Sequence, residues 1–284
     1  MISRIAEQTL GETLNGLISR LENTSDTPGL DAQLLVAHLL NKPRSWVLAH
    51  PELPLTRNQN ATLENLASRL EGGEPLPYVL GHWEFFGLEF DVTPDVLIPR
   101  PETELLVGTA LAWLHRWPDC RCIADVGTGS GCIGIALAAN VPDLHVTAID
   151  ISPTALDVAR RNASKQRVDN RMEFSCGDLL SGDTNFNLIV ANLPYIPTEN
   201  LQNLSIYGHE PTVALDGGTD GMILIRRLLL EAPDRLLPGG MLLMEIEASE
   251  GLAALSFAFD VFSKARIHLH KDLSYRDRLL EVQI

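Results

Sequence analysis

The chain is poor in residues that mark several common protein classes. Its 284 residues include only four cysteines, and aromatic residues make up 6%. The cysteines form no C-x-x-C pair, and three of them lie in or beside apolar segments. We therefore expect buried thiols in a reducing compartment, and neither a disulfide framework nor a zinc or other metal site. The four are Cys120, Cys122, Cys132 and Cys176.

Basic residues are also scarce. The chain has 22 Lys and Arg against 37 Asp and Glu, a formal net charge of -15. Proteins that form stable complexes with nucleic acid usually present a basic face. The balance therefore argues against nucleic acid as a partner, and it favours a cationic ligand or a basic protein.

Long apolar runs are missing as well. None approaches the ~18 residues of a membrane span. Residues 1–10 carry Arg4 and Glu7 and have no apolar core of signal-peptide length. We therefore expect a cytoplasmic protein that does not contact membranes. Internal repeats and low-complexity tracts are also absent from the sequence.

The sequence does contain enough apolar residues for a sizeable core, at 45%. A length prior of roughly 150 residues per domain predicts two domains. Leucines recur at helical spacing in the first part, and Thr56 is a predicted N-cap. We expect an all-α bundle over residues 1–74 that contributes to substrate docking, and then a β-hairpin connector over 75–100.

Residues 101–284 alternate between strand and helix patterns, which predicts an α/β fold with a mostly parallel sheet. Pro101 opens the first helix. The predicted strands are Cys122–Val126, His145–Asp150, 172–175, Phe186–Ala191, 241–246, 266–269 and 279–284. The predicted helices that follow are Cys132–Asn140, 152–167, 222–236 and 249–259.

A glycine-rich segment, D-V-G-T-G-S-G-C-I-G from Asp125 to Gly134, joins the first parallel strand to its helix. Glycines let a ligand approach the backbone, and free N–H groups at a helix start favour an anionic group. Gly129, Gly131 and Gly134 match G-x-G-x-x-G, which alone is a weak signal. The segment predicts a nucleotide-type cleft.

Acidic residues at neighbouring strand ends narrow the choice of ligand. Asp150 ends the second strand, where a carboxylate can accept from both ribose hydroxyls. Asp178 follows the third strand and is placed to accept from an adenine amine, with Leu179 against the ring. A pyrophosphate needs a basic or neutral rim, whereas these residues and Asp125 suit a ligand with a sulfonium and an ammonium. The charges favour S-adenosylmethionine over NAD, and an NAD-dependent oxidoreductase is the alternative.

The apolar strand Phe186–Ala191 ends in Asn192-Leu193-Pro194-Tyr195, at the edge where open α/β sheets bind ligands. Pro194 holds Leu193 in an extended conformation and stiffens the turn. The Asn192 side-chain oxygen, the Leu193 carbonyl and the Tyr195 ring suit an NH2 on a π-system, such as a carboxamide or a base amine. The alternative is a plain turn in which Asn192 is a turn former and Tyr195 a packing residue.

In this order, the glycine segment, Asp150 and the Asn192 tetrapeptide resemble Rossmann-like S-adenosylmethionine-dependent methyltransferases that act on a planar NH2. Three further stretches resemble the release-factor glutamine methyltransferases of the HemK/PrmC type, and the likeness covers nearly the whole chain. The stretches are Gly73-Glu74-Pro75 with Tyr78 and Gly81, V-L-I-P-R-P-E-T-E over 96–104, and Glu210-Pro211 through Ala214-Leu215-Asp216-Gly217-Gly218 to Asp220-Gly221.

The resemblance implies a Rossmann-like methyltransferase domain over 101–284 behind a small all-α domain. It implies methyl transfer from S-adenosylmethionine, which leaves S-adenosylhomocysteine, to the side-chain amide nitrogen of the glutamine in the Gly-Gly-Gln motif of class I release factors. We expect these factors to be the partners of a monomeric enzyme. The implied cofactor contacts are Gly127, Thr128, Gly129, Ser130, Gly131, Asp150, Asp178, Leu179 and Asn192. The implied catalytic and substrate contacts are Asn192, Leu193, Pro194 and Tyr195.

The sequence departs from the family pattern at two places. Leu193 stands where the family usually has proline, but the carbonyl there belongs to the backbone, so the chemistry can survive the change. Glu250 stands where a glutamine often follows the Glu245 strand, and we attach no functional consequence to it. His209 and Glu210 are candidate proton acceptors, although loop packing is the favoured interpretation of both.

Two alternatives remain beside the oxidoreductase. A nucleic-acid adenine N6-methyltransferase uses a similar tetrapeptide on a base amine, and the acidic net charge argues against it. A non-catalytic scaffold that keeps the cleft is disfavoured by the presence of Asn192, Pro194 and Tyr195.

Overall fold

The computed structural model of the chain describes residues 8–204 and 206–284. The interpretation of the first ten residues as lacking a signal segment therefore falls mostly outside the described part. The chain divides into two units, Met1–Gly81 and His82–Ile284. Within the described residues, no helix combines the length and the apolar character needed to cross a membrane.

The first unit is a bundle in which α2 contacts the four other helices. Two of the helices begin at a capping box, in which a threonine and the residue three positions later bond each other's backbone N–H. These pairs are Thr9 with Glu12 and Thr56 with Gln59, so the predicted cap at Thr56 is confirmed. The helices are α1 Leu10–Leu21, α2 Pro28–Leu40, α3 Arg44–Ala49, α4 Arg57–Glu71 and α5 Leu76–Leu80.

Helix α5 falls in the stretch expected to be a connector. The Arg69 guanidinium on α4 pairs with Glu74 and donates to the carbonyls of Tyr78 and Val79 on α5. These bonds tie α5 to the bundle, which explains why the first unit extends to Gly81 and not only to residue 74. The hairpin of the expected connector is present, and it belongs to the second unit.

The second unit contains a seven-stranded sheet. Its hairpin is β1 His82–Phe85 and β2 Leu88–Asp91. The sheet strands are β3 Cys122–Val126, β4 His145–Asp150, β5 Met172–Cys176, β6 Phe186–Ala191, β9 Leu236–Glu245, β10 Arg266–Lys271 and β11 Asp277–Gln283. Two short strands, β7 Ile196–Pro197 and β8 Asp216–Gly218, pair with each other. The helices are α6 Glu104–Arg116, α7 Cys132–Asn140, α8 Pro153–Lys165, α9 Ile223–Glu231 and α10 Gly251–Val261.

The strand order is β10-β11-β9-β6-β3-β4-β5. Strands β5, β4, β3, β6 and β9 are parallel neighbours, and β11 and β10 extend the sheet antiparallel. The chain runs from β3 to β4 on one side and returns to β6 on the other, so the connections reverse direction at β3. Such a switch point opens a crevice outside the carboxyl ends of the strands, where ligands bind. The α/β methyltransferase-type architecture is as predicted.

Both faces of this sheet are covered, and the alternation along β6 shows it. Leu188 and Val190 belong to the hydrophobic cluster that includes residues of α6 and α7. Ile189 and Ala191 belong to the cluster that includes residues of α9 and α10. Because side chains alternate between faces, a slip of one residue would exchange these clusters. Two-sided burial therefore fixes the point at which each strand ends.

Several predicted boundaries shift in the structure. The helix predicted over 222–236 ends at Glu231, because Pro233 cannot continue it. Strand β9 starts at Leu236 and bulges at Gly239, which has a φ of 77°. The pairing of β7 with β8 lies between the tetrapeptide at Asn192 and the helix predicted over 222–236, where no strand was predicted.

The prediction of buried cysteines is wrong. All four thiols are free, but two are exposed and two are half-buried. The exposed thiols are those of Cys122, the first residue of β3, and Cys176, the last residue of β5. An apolar neighbourhood in sequence does not bury a residue at a strand end.

Asn162 of α8 joins the hairpin to the glycine-rich segment. Its side chain is fully buried, at 0% exposure. Its Oδ1 accepts from the Asp91 N–H at 2.7 Å, and its Nδ2 donates to the carbonyls of Asp91 at 3.0 Å and Ser130 at 2.9 Å. One amide thus satisfies three backbone groups, of which the Ser130 carbonyl is buried and the two of Asp91 are half-buried.

We expect Asn162→Ala to lower the free energy of unfolding by about 2–4 kcal/mol, because it leaves the buried Ser130 carbonyl and two half-buried backbone groups of Asp91 without this partner. The matched control is Asn140→Ala, which removes one half-buried bond between the exposed Asn140 side chain and the Ala136 carbonyl and should change stability by at most about 0.5 kcal/mol. Urea unfolding followed by tryptophan fluorescence measures both. Equal effects of the two substitutions would contradict this account of Asn162.

Candidate active site

Asp125 fixes the conformation of the glycine-rich segment by two hydrogen bonds. Its Oδ2 accepts from the Thr128 hydroxyl at 2.6 Å and from the Gly134 N–H at 2.9 Å. The residue is fully buried, and this burial raises the pKa of its carboxyl to about 6. The predicted bonding of Asp125 to its own loop is confirmed. The expectation that its carboxylate lies on the rim of the cleft is wrong, because the residue is buried and is not part of the cleft lining.

Asp150 ties the end of β4 to the same segment. Its Oδ2 accepts from the Gly129 N–H at 2.8 Å, and its Oδ1 accepts from the Ser152 N–H at 2.9 Å. Gly129 has a φ of 55° and nothing within 4 Å of the place a Cβ would occupy. Burial raises the pKa of Asp150. Each carboxylate oxygen keeps lone-pair capacity for a ligand, because a carboxylate has about four acceptor sites.

Asp178 and Leu179 follow β5. Leu179 is nearly buried and has a φ of 50°, a left-handed conformation that turns the chain sharply after the strand. The Asp178 Oδ2 pairs with the Arg227 guanidinium at 2.9 Å. This pairing supports α9 at the cleft wall, a contact that the sequence did not predict.

A cavity of about 400 Å³ lies at the carboxyl edge of the sheet. Its size is within the range of pockets that take small ligands. Charged residues in its lining comprise four aspartates and two arginines, a formal balance of -2 (2 − 4). They are Asp95, Asp150, Asp178, Asp216, Arg100 and Arg227. A ligand with net positive charge suits this lining better than a pyrophosphate.

Most of the predicted site residues line this cleft together. They are Gly127, Thr128, Gly129, Ser130, Asp150, Asp178, Leu179, Asn192, Leu193 and Pro194. The described lining does not include Gly131 or Tyr195. A Cβ at Gly131 would stand 2.7 Å from Ile135 and 3.2 Å from Ala159, so this glycine allows close packing between the segment and α8.

The Asn192 side chain is held by a partner that the sequence did not single out. Its Nδ2 donates to the Thr103 hydroxyl at 3.0 Å. Thr103 in turn donates to Glu245 Oε2 at 2.6 Å. The phenol of Tyr195 reaches Glu245 Oε1 at 3.5 Å, the long limit of a hydrogen bond. A chain of four polar side chains therefore begins at the cleft and runs into the protein.

The position of Glu245 at a strand end could have marked it as a candidate site residue from the sequence. It is the last residue of β9, next to β6, and its strand end lies at the edge that supplies Asn192. The rule that ligand-side residues follow parallel strands applies to it equally. Thr103 lies within the stretch 96–104, where no role was assigned to its hydroxyl.

Leu193 fills the space between the two ligand-side loops. It is 3% exposed and belongs to the hydrophobic cluster on the α9 side of the sheet. A Cβ added to Gly127, which has a φ of 71°, would stand 3.0 Å from Leu193 Cδ2. The leucine therefore stiffens the turn by packing.

Tyr195 lines a second cavity of about 570 Å³, together with Asp220 and Glu250. Burial raises the pKa of Tyr195 and raises that of Glu250 to about 7. Strand β8 lies against the Tyr195 backbone, since a Cβ at Gly217 would stand 2.7 Å from the Tyr195 Cα. The placement of Tyr195 is thus fixed by backbone contacts on this side.

Glu210 serves as an anchor for the segment before α6. Its carboxylate is buried, pairs with Arg100 and accepts from the Ile98 N–H at 3.1 Å. The favoured interpretation of Glu210 as a packing residue is confirmed. In the described part of the chain, no group of three His, Cys, Asp or Glu side chains is arranged to hold a metal ion.

Comparison with known proteins agrees with the two-part organisation. Residues 12–81 match the family model described as PrmC N-terminal domain, and residues 103–206 match the one described as Methyltransferase small domain. The chain is 40% identical to the release factor glutamine methyltransferase of Bordetella pertussis over 256 residues, which is 89% of this chain and 93% of that protein. This chain belongs to the release factor glutamine methyltransferase family. A second member of the family, from Vibrio cholerae, is 39% identical over 276 residues, 95% of each chain.

Solved structures show the same fold at much lower identity. A methyltransferase from Pyrococcus furiosus has a TM-score of 0.51 at 18% identity, covering 80% of this chain and 98% of that one. The catalytic domain of hMettl16, in complex with a 3′UTR hairpin, has a TM-score of 0.57 at 13% identity and covers 87% and 91%. The fold of this family member is therefore that of a Rossmann-like methyltransferase.

The close packing of Gly134 against Asp125 can be tested by comparing glycine-to-alanine substitutions at two helical positions. In Gly134→Ala, the new Cβ would stand 2.9 Å from both Asp125 Oδ2 and Val146 Cγ1, so we expect a loss of about 1–3 kcal/mol in unfolding free energy. Gly108 in α6 has nothing within 4 Å of that position, so Gly108→Ala should stabilise by about 0.5–1 kcal/mol. Thermal and urea unfolding of both variants give the comparison. A neutral Gly134→Ala would show that Asp125 and Val146 leave room for a methyl group at this position.

Proposed function

We propose that this protein transfers a methyl group from S-adenosylmethionine to the side-chain amide nitrogen of the glutamine in the Gly-Gly-Gln motif of class I release factors. The observation that carries the proposal is one cleft whose lining includes both the glycine segment with Asp150 and the Asn192-Leu193-Pro194 turn. A methyl donor and an amide acceptor need such shared access. The activity for which the family's members are named supports the choice of substrate.

The residues present fit S-adenosylmethionine. Nothing lies within 4 Å of the Cβ position at Gly129, so a ligand can approach the backbone there. We assign the binding contacts to Gly127, Thr128, Gly129, Ser130 and Gly131, and to Asp150 for the ribose hydroxyls, with Asp178 and Leu179 at the adenine and Asn192 beside the donor. When bound, the cofactor supplies an electrophilic methyl group on a sulfonium. The acidic balance of the cleft favours that positive charge.

The protein's own task is to orient a poor nucleophile. The lone pair of a carboxamide nitrogen is delocalised into its carbonyl. The Asn192 Oδ1 and the Leu193 carbonyl accept the two N–H bonds of the substrate amide and hold its nitrogen in place. Pro194 keeps the turn stiff, so that orientation and electrostatics account for the rate. The methylated amide can lose its extra proton to water, and no general base is required.

We propose that the ring of Tyr195, the last residue of the tetrapeptide, packs against the amide plane of the substrate. Its hydroxyl faces Glu245, which sets the ring direction from behind. Tyr195 lines the second cavity and follows directly after the Asn192-Leu193-Pro194 turn that lines the first. The substrate contacts are thus Asn192, Leu193, Pro194 and Tyr195.

The remaining expectations follow from this substrate. We propose that the protein works as a monomer in the cytoplasm, where translation terminates, and that residues 1–74 contribute to docking of the release factor. The nucleic-acid adenine methyltransferase is not favoured, since the curated relatives are named for a protein glutamine and the net charge is -15.

The decisive experiment incubates the protein with methyl-labelled S-adenosylmethionine and a purified class I release factor, and maps the modified residue by mass spectrometry. We expect label on the glutamine of the Gly-Gly-Gln motif. A release factor with alanine in place of that glutamine is the control, and an adenine-containing oligonucleotide is the competing substrate. Label on the oligonucleotide but not on the release factor would overturn the proposal.

Asn192→Ala should lower kcat by at least about 100-fold, because the substrate amide loses an acceptor that orients it. Binding of S-adenosylhomocysteine, followed by the rise in melting temperature, should weaken much less than kcat falls, because Asn192 is one of several cofactor contacts. Asn140→Ala is the matched control and should keep the wild-type rate. An Asn192→Ala protein that methylates at near wild-type rate would refute the assignment.

The choice of ligand can be tested by thermal shift. We expect S-adenosylhomocysteine at 100 times its Kd to stabilise the protein by about 2.7 kcal/mol, and NADH to leave the melting temperature unchanged. Asp150→Ala should weaken this stabilisation, because it removes both the ribose acceptor and the bond to Gly129. A rise in melting temperature with NADH alone would favour the oxidoreductase.

A further inference from the structure

We propose that Thr103 and Glu245 are positioning residues that determine which end of the Asn192 carboxamide faces the substrate. This inference rests on the proposed function, since it concerns the amide that would hold the glutamine. It assigns a task to the buried side chain of Thr103, which the mechanism above does not use, and a second task to Glu245.

The contacts form a continuous path from the cleft inwards. Thr103 and Glu245 are each 2% exposed. The Thr103 Oγ1 lies 3.0 Å from Asn192 Nδ2 and 2.6 Å from Glu245 Oε2. Thr103 follows the proline-led turn before α6, and Glu245 ends β9. Three separate elements therefore converge on one hydroxyl group.

The number of protons on that hydroxyl decides the orientation of the amide. A threonine hydroxyl has one proton to donate, and an ionised carboxylate can only accept. Thr103 therefore gives its proton to Glu245 and can only accept from Asn192. This arrangement requires the NH2 end of the Asn192 amide to face Thr103, and Oδ1 is left to accept from a ligand.

The reversed amide would be costly in two ways. Turning Asn192 by 180° about its last bond would place Oδ1 against Thr103 Oγ1, where neither atom has a proton to share. It would also direct the NH2 group at the substrate NH2, so that two donors face each other. An ionised Glu245 excludes the reversed amide through the hydroxyl of Thr103, without touching Asn192 itself.

The effect depends on the charge of Glu245. Burial raises the pKa of its carboxyl to about 7. The groups that face it are Arg278 on β11, which lowers its pKa, Glu102 beside Thr103, which raises it, and the phenol of Tyr195. The charge of Glu245 in turn contributes to the raised pKa of the Cys132 thiol on α7.

Protonation of Glu245 removes the constraint. A neutral carboxyl can donate its own proton to Thr103, whose hydroxyl proton is then free to turn towards Asn192. Both ends of the amide become acceptable to Thr103, and the productive orientation is no longer enforced. The sign is therefore fixed: activity is highest with the carboxylate ionised, above pH 7, and falls as the pH drops through about 7.

The test compares three variants with the wild type between pH 6 and pH 9. Thr103→Val keeps the shape but removes the hydroxyl, Thr103→Ser keeps the hydroxyl, and Glu245→Gln keeps the size but cannot enforce the proton direction. We expect Thr103→Val and Glu245→Gln to lower kcat about tenfold at pH 8, and Thr103→Ser to stay within about threefold of the wild type. The KM and the stabilisation by S-adenosylhomocysteine should change little.

The pH profile separates positioning from a structural role. The wild-type kcat should fall about fivefold between pH 8 and pH 6, because the neutral form keeps about a tenth of the activity, and this acid limb should be absent in Glu245→Gln. A Thr103→Val protein with wild-type kcat, or an acid limb that persists in Glu245→Gln, would overturn the proposal. Melting temperatures of all variants check that they fold.

A second measurement does not depend on catalysis. The side-chain amide protons of Asn192 can be followed by NMR and assigned by their loss in Asn192→Asp. We expect their shifts to titrate with a midpoint near 7 in the wild type and to lose this dependence in Thr103→Val. If the wild type methylates no release factor, the proposed function fails, and an unchanged titration in Thr103→Val would separately refute the positioning of the amide.

Discussion

The site depends on the alignment of four neighbouring parallel strands, β4, β3, β6 and β9. Their carboxyl ends meet at one edge of the sheet, and each supplies a different part of the chemistry. The first two end in Asp150 and the glycine-rich segment, and the other two end at Asn192 and Glu245. Since each strand is buried on both faces, apolar packing sets its register. The polar residues thus occupy positions that the hydrophobic core determines.

Around that edge, the carboxylates mainly stabilise the loops by accepting hydrogen bonds. Asp125 binds the hydroxyl and the N–H of its own loop, Asp150 joins β4 to the loop, and Glu210 holds the segment before α6. Asp125 and Glu245 have raised pKa values because they are buried. A cleft made in this way keeps its shape before any ligand arrives. Such preorganisation matters most where orientation of a weak nucleophile is the source of the rate.

Much of this arrangement was predictable from local patterns. The strands Cys122–Val126, His145–Asp150 and Phe186–Ala191 stand at their predicted bounds, because short apolar runs between turn formers leave little freedom. Residues at their ends could be placed in one cleft by the rule for parallel sheets. The contact of Thr103 with Glu245 spans 142 positions in sequence, and no local pattern signals it. The pairing of β7 with β8 escaped for the same reason, since it depends on glycines fitted against the Tyr195 backbone.

The packing of Leu193 against Gly127 has an evolutionary consequence. Leu193 belongs to the turn for the methyl acceptor and Gly127 to the loop for the methyl donor. A Cβ added at Gly127 would stand 3.0 Å from Leu193 Cδ2. Residues in such contact show non-additive effects when both are changed. In lineages that carry leucine here, the acceptor turn and the donor loop are therefore subject to epistasis, and a residue accepted at one depends on the residue already present at the other.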